Sequence, residues 1–481
     1  MPPPIATLVF IIGVLGVFFL DRDPEARTSK ALWLPVFWLL INGSRSVSMW
    51  LGAQTSVKMD NPDQYLDGSP LDALIYSALL GIAVGVLFTR GQKVARLLQR
   101  NAPIVFFFTF CAVSSIWSDY SEVSFKRWIK AMGDLVMVLV VLTDAEPIPA
   151  LKRVLARVGV ILIPASVLLI KYYPALGRMY NIWTWEPTFV GVTDHKNTLG
   201  MICMILGTGF VWRFLLAFKD KEDPKRGKRL IAWAALIGMA IWLFIEANSM
   251  TALSCFLIAT AFMIATGTKA VARKTWLVPV MMIAFVSVPI MTLFLGIGGG
   301  ALEGMGRDAT LTGRTDIWKL VIGMSGNPLL GTGFESFWLG SRASRMWQAY
   351  YFHPTQAHNG YIEVYLELGW IGIALLASII VAGYRNALST FKTNPDLGRI
   401  RLTYILIALI YNMTEAGFRL LNLTWFFFLL SATIVATTAV TKTVSSEQEV
   451  ALPQSKESPL IPWREPREPV TTYKRKRFET V

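Results

Sequence analysis

Apolar runs of about 15–22 residues recur from end to end of this chain, separated by short polar and mostly basic connections. Thirteen stand out, near 5–20, 31–42, 71–88, 103–117, 128–143, 158–170, 198–218, 230–247, 251–266, 275–295, 361–382, 402–415 and 423–440. A helix needs about 20 residues to cross a bilayer, so several runs must draw on their flanks. The run at 31–42 is the weakest, with Pro35 inside it. The pattern predicts an all-α integral membrane protein, a polytopic bundle of about 12–13 transmembrane helices over residues 1–440. The longest polar interval, 296–358, predicts a large extracytoplasmic loop carrying short helices. Within it Ile317, Leu320, Val321 and Met324 recur at helical spacing, as in an amphipathic helix lying on the surface. Asn327-Pro328 and the Gly-rich stretch after it should end that helix in a turn.

Composition agrees: 54% of the 481 residues are hydrophobic and 16% charged. A net charge of +14 suggests nucleic acid until its distribution is followed. Roughly two thirds of the Lys and Arg fall in alternate connections with 90–100 and in the C-terminal residues, the positive-inside bias of a membrane protein. That places the N-terminus and the 296–358 loop outside and residues 441–481 inside. The partner implied is a lipid bilayer rather than nucleic acid. The 441–481 tail, Pro-rich and ending near Lys474-Arg475-Lys476-Arg477, is expected to be a disordered, cytoplasmic topology signal. No Ala-x-Ala-type site follows the first run, so no cleaved signal is expected. Cys111, Cys203 and Cys255 lie inside apolar runs without paired spacing, which predicts neither disulfides nor a metal site. With three histidines and no nucleotide-binding fingerprint, no metal or cofactor is expected.

The polar residues that intrude on the runs favour one side. Glu246 and Asn248, Glu363 and Glu367, and Asn412 and Glu415 stand at outer ends, and Asp134 lies in the outer half of the fifth run. An ionised group at the bilayer centre costs at least about 2.5–3.5 kcal/mol, so these residues need partners or a watery cleft. A transporter would gather polar groups and broken helices at the midplane, so a flippase or exporter fits less well. His358 directly precedes an apolar run, with Asn359 placed to cap the helix. Unpaired N–H groups and the dipole at a helix start attract phosphate and favour a neutral imidazole, which can act as a general base. Arg314, Lys196, Arg127 and Arg45 are cations on the outer side, and an arginine fork suits phosphate. His195 precedes Lys196 at another helix start, while His353 reads as a loop residue. Glu363 and Glu367 share a helix face; they could orient the site's cations, carry protons, or pair with an arginine on a neighbouring helix. Trp338, Trp347, Tyr350 and Tyr351 could stack on sugars or belong to an interfacial aromatic belt.

Several segments together resemble a known family. They are Gly313-Arg314-Thr315-Asp316-Ile317-Trp318, Pro328-Leu329-Leu330-Gly331-x-Gly333-Phe334 and His358-Asn359-Gly360-Tyr361-Ile362-Glu363-x-x-x-Glu367-x-Gly369. With Thr193-x-His195-Lys196-Asn197-x-Leu199-Gly200, Ala247-Asn248-Ser249-x-Thr251-Ala252-Leu253 and Asn412-x-Thr414-Glu415, they cover about 190–416. In order and spacing they resemble the O-antigen ligase and polymerase (Wzy-type) superfamily, nearer its exopolysaccharide-polymerase branch. The resemblance implies a GT-C-type, metal-independent glycosyltransferase of the cytoplasmic membrane, with its site facing outside. Such an enzyme takes a glycan from a polyprenyl-diphosphate carrier and joins it to a glycan or lipid-linked acceptor, with a chain-length regulator or export apparatus as candidate partners. It further implies that His358 is the base or acceptor-orienting residue, that Arg314 holds the diphosphate, and that His195 and Lys196 line the same cleft. One departure is Met250, where the family often carries Arg or Lys. A polymerase of repeat units is the first expectation, a ligase onto lipid A core or protein the second, and a flippase or exporter the third.

Overall fold

The computed structural model describes residues 1–52, 68–180, 186–294, 314–350 and 353–434. The described residues belong to one compact unit, and the expected 441–481 tail lies outside the described residues. So do Gly313, Tyr351 and most of the first half of the 296–358 loop.

The protein is an all-α polytopic membrane protein. In chain order the helices are α1 (Pro3–Asp21), α2 (Trp33–Asn42), α3 (Val47–Trp50), α4 (Pro70–Phe88), α5 (Gly91–Arg100), α6 (Ala102–Ser114), α7 (Ser121–Leu142), α8 (Pro147–Tyr172) and α9 (Pro174–Gly177). A two-stranded antiparallel hairpin follows, β1 (Arg178–Tyr180) with β2 (Pro187–Phe189), pairing Arg178 with Phe189. Then come α10 (Lys196–Lys219), α11 (Arg226–Ala247), α12 (Met250–Ala265), α13 (Lys269–Arg273) and α14 (Leu277–Phe294). The last helices are α15 (Arg314–Gly323), α16 (Gly340–Ala349), α17 (Gly360–Thr393), α18 (Pro395–Tyr411) and α19 (Leu423–Ala432).

Within the described residues every predicted apolar run coincides with a helix, positions 435–440 of the last run lying outside them, but the count of spans differs. Six of the described helices, α1, α4, α8, α10, α11 and α17, are long and apolar enough to cross a membrane. A seventh is added if α5 and α6, bent by 90°, act as one. The others fall short for identifiable reasons. Helices α2 and α19 have 10 residues each. Helix α7 carries Lys126, Arg127, Lys130 and Asp134 in its first two-thirds, and α18 buries Arg399 and Arg401. Burial inside the bundle makes these elements apolar without requiring each to span alone. Buried aromatics such as Trp38, Phe210, Phe262 and Phe426 fill the centre.

Sequence-encoded caps set several helix starts. Ser69 caps α4, Asn394 caps α18 and Asn422 caps α19, each accepting a backbone N–H that the helix leaves unpaired. One end of the bundle is held by cations: Arg90 meets Asp144 at 3.5 Å, Arg213 pairs with Asp21, and Lys219 pairs with Asp396 at 2.7 Å. The opposite end gathers the 43–52, 115–120, 190–195, 314–350, 353–359 and 412–422 segments. There Arg45 N donates to Val192 O, Phe334 N to Ser114 Oγ, and Gly360 N to Asn412 O.

Helix α17 is broken at Gly369, whose φ is +61°. The 328–333 turn fills the break. Trp370 N and Ile371 N donate to Pro328 O and Leu329 O, while Thr332 N and Gly333 N donate to Leu366 O and Glu367 O. Interrupted backbone at membrane depth is tolerated when protein groups satisfy it in this way. A Cβ on Gly369 would strike the Leu329 backbone, and one on Gly331 would strike that of Glu367. Both glycines are needed for the close approach.

Candidate functional site

The start of α17 is built by exchange with the 412–418 segment. Asn412 folds that segment by accepting from Gly417 N at 2.7 Å and Phe418 N at 2.8 Å. Gly360 N donates to Asn412 O and Glu415 O, and a Cβ at Gly360 would fall on the Asn412 side chain. The Asn359 side chain caps α17, accepting from Tyr361 N at 3.0 Å and Ile362 N at 3.1 Å, and donates to Met413 O. This corrects one expectation. The first N–H groups of α17 are taken by Asn359 and the 412–415 carbonyls, so only the helix dipole, and not open donors, faces an anion here.

His358 precedes the cap with φ of +52°, a left-handed conformation that non-glycine residues adopt at a cost. Its neighbour is clamped from both sides: Ala357 N donates to Glu363 Oε1, and Trp318 of α15 donates to Ala357 O at 2.7 Å. That clamp aims the imidazole at Glu415. His358 Nδ1 lies 3.1 Å from one Glu415 oxygen, and Arg314 donates to the other at 3.2 Å and also to Thr414 O. Glu415 therefore joins an imidazole to a guanidinium. Its side chain is 9% exposed, against 24% for His358 and 25% for Arg314, so the carboxylate is the concealed member and its partners are the accessible ones. Burial pushes the Glu415 carboxyl up, but the His358 hydrogen bond and the His358 and Arg314 charges outweigh it and leave it below the ordinary carboxylate value. Among the described residues, His358 Nε2 makes no hydrogen bond.

His195 caps α10, its Nδ1 accepting from Asn197 N at 3.1 Å. It lies close enough to feel the charges of Glu415 and His358, with Lys196 beside it. The surrounding protein disfavours the charged ring and lowers its pKa, although its surface is exposed. The start of α10 packs on the α11–α12 turn, where Gly200 abuts Ser249 just before Met250. Arg45 lies against the loop leading to His195: it donates to Leu176 O at 2.5 Å, stands over the Trp50 ring, and is near Asp194. Burial lowers its pKa.

The remaining carboxylates form a second, interior cluster. Both Glu363 oxygens are occupied by protein donors, Ala357 N and Trp338 Nε1, the latter at 2.8 Å. Glu363 and Glu367 are buried, and among the described residues Glu367 Oε1 has no hydrogen-bond partner. Glu335 pairs with Arg419 at 3.3 Å, and Arg127 donates to the Glu335 carbonyl. Burial works against the Arg419 cation, but Glu335, Glu363 and Glu367 overcome it and raise its pKa. Sequence reasoning missed Glu335 and Arg419; the signal for Arg419 was its position just beyond the Asn412-x-Thr414-Glu415 segment. Trp338 and Trp347 are 7% and 8% exposed, and Trp347 stacks on His353 at 4.5 Å. They pack the loop and are not open platforms for sugars. Among the described residues no group of three His, Cys, Asp or Glu is placed to hold a metal ion.

A family model described as O-Antigen ligase matches residues 234–377, which include Arg314, His358, Glu363 and Glu367 but not His195 or Glu415. The exopolysaccharide production protein ExoQ of Rhizobium meliloti (strain 1021) is 25% identical to the chain over 296 residues. The match takes in 58% of this chain and 64% of ExoQ, so the chain spans less than two thirds of that relative.

Proposed function

We propose, for a chain that belongs to the O-antigen ligase/polymerase superfamily near its exopolysaccharide branch, that it is a metal-independent membrane glycosyltransferase. It polymerises polyprenyl-diphosphate-linked oligosaccharide units on the outer face of the cytoplasmic membrane. The observation that carries this reading is the Glu415 carboxylate shared by His358 and Arg314.

The geometry suits acyl-free glycosyl transfer. With Nδ1 engaged by Glu415, His358 Nε2 is the nitrogen that accepts a proton from the acceptor hydroxyl. The acceptor oxygen forms its bond to the anomeric carbon as the bond from that carbon to the diphosphate oxygen breaks. The electron pair leaves on the lipid diphosphate, whose developing charge Arg314 and the nearby Lys196 offset. Glu415 stabilises the imidazolium as it forms and holds the ring and the guanidinium in register. Two reactants anchored in one bilayer supply the proximity.

A second reading, transfer of finished glycan onto lipid A core or protein, is favoured by the family model's own description. Replacing His358 and Arg314 separately by Ala, with membrane insertion verified, separates the readings by polysaccharide length. Single repeat units accumulating on the lipid carrier support the polymerase. Long chains on the carrier with none on the acceptor support the ligase, and normal products in both variants refute the site.

A further inference from the structure

A cavity of about 500 Å³ opens between α4 and α7, with Trp38, Tyr76, Leu80, Lys126, Arg127 and Lys130 on its walls. Pockets that take small ligands commonly run from about 300 to 1,000 Å³. Its three cations lie within a turn of one another and near the start of α7. Lys130 is nine residues from Ser121, about 13 Å along the helix axis at 1.5 Å per residue. Lys130 forms no ion pair among the described residues; its Nζ stands 6.0 Å over the Tyr76 ring. Lys126 is paired with Glu122, but both side chains are largely exposed, so the pair is readily exchanged for another anion. Arg127 is tied to the Glu335 carbonyl, which fixes its place in the wall.

The opposite wall is rigid and apolar. Trp38 donates to Asp134 at 2.8 Å, Tyr76 donates to Asn42 at 2.7 Å, and the two rings meet edge-on at 5.0 Å. Leu74 and Ile82 of α4 and Phe125 and Ile129 of α7 are exposed beside it, a surface that a bilayer would cover. Cations on one wall and an exposed apolar flank form a combination suited to one chemistry.

We infer that this cavity binds an anionic phosphate group carried by a membrane lipid, either an isoprenoid diphosphate or an anionic phospholipid. The alkyl chain lies along Leu80 and the exposed Ile129, and Lys126 and Lys130 meet the phosphate. The site stands on the cavity's own geometry and holds whether or not His358 is a base. A transferase that joins two lipid-linked glycans has use for such a second place.

The test is a thermal-midpoint titration of the purified full-length chain in detergent with farnesyl diphosphate, short-chain phosphatidylglycerol, farnesol and inorganic phosphate. A rise of the midpoint with either phosphorylated lipid, and none with farnesol or inorganic phosphate, is expected; the tighter of the two lipids identifies the source. Lys130→Gln and Lys126→Gln should each raise the half-saturating concentration roughly tenfold, the effect of losing one charge-assisted contact. His358→Ala should leave it unchanged. Lys126 is exposed, so its variant keeps the test decisive if Lys130→Gln fails to fold. The inference is overturned if neither lipid shifts the midpoint, if inorganic phosphate alone saturates the effect, if Lys126→Gln binds like the parent chain, or if only His358→Ala loses binding.

Discussion

Glu415→Gln is the sharpest perturbation of the site because it keeps the shape of the side chain and removes only the charge. In the parent chain both carboxylate oxygens are engaged, at 3.1 Å with His358 Nδ1 and 3.2 Å with Arg314, and the side chain is 9% exposed. A hydrogen bond to a charged group contributes about 1.5–3 kcal/mol and a neutral one about 0.5–1.5, so two weakened contacts amount to about 2 kcal/mol. If that stabilisation acts only as the imidazolium forms, the rate falls about thirtyfold. The amide can also donate to Nδ1, which selects the wrong tautomer and withdraws Nε2 as a base, a loss that reaches about 10²–10⁴-fold. The assay is the rate of chain growth from a polyprenyl-diphosphate-linked unit by purified protein in a defined bilayer. Combining Glu415→Gln with His358→Ala supplies the check, because a residue acting through His358 costs little once His358 is gone. Growth at the parent rate in Glu415→Gln, or fully additive losses in the double variant, would refute the reasoning.

Three further outcomes are expected. Arg314→Lys keeps a charge but not the planar fork, and should slow transfer at least about tenfold, with Arg314→Ala slower by about 10²–10³-fold, read in the same assay. Gly369→Ala forces a side chain onto a φ of +61° and against the Leu329 backbone, and should destabilise the fold by more than about 2 kcal/mol in detergent denaturation. For pH, the Glu415 carboxyl is depressed in the folded chain, so its stabilisation is complete above the ordinary value of 4.5 and lost as pH falls through the lower folded value. The gap in thermal midpoint between the parent chain and Glu415→Gln should therefore close as pH falls below 4.5.

The helices were legible because burial inside a bundle and burial in lipid leave the same apolar runs. That equivalence is also why the number of spans was not legible: α7, α18 and α19 are apolar from packing, and α18 carries two arginines, Arg399 and Arg401, that the bundle, rather than the bilayer, surrounds. At the site, Asn359 as a cap could be read from its place at a helix start, and the pairing of Arg314 with His358 in one site from the family resemblance of their segments. The bridging role of Glu415 could not, since it lies 57 residues from His358 and 101 from Arg314, and only the folding of the 412–418 segment by Asn412 brings it between them. The same limit concealed the work of Glu363. Its place on a helix face suggested an acid that orients cations, carries protons or pairs with a neighbouring arginine, whereas its oxygens hold Ala357 and Trp338 and so aim the histidine loop. The break at Gly369 was hidden because its partners, residues 328–333, arrive from another part of the chain.

The most direct measurement presents the purified chain, in a defined bilayer, with a lipid diphosphate bearing one labelled repeat unit, and follows released lipid diphosphate and product length together. The parent chain is predicted to release carrier in step with lengthening glycan, and folded His358→Ala to do neither at a comparable rate. Undiminished release and lengthening by His358→Ala would contradict the account.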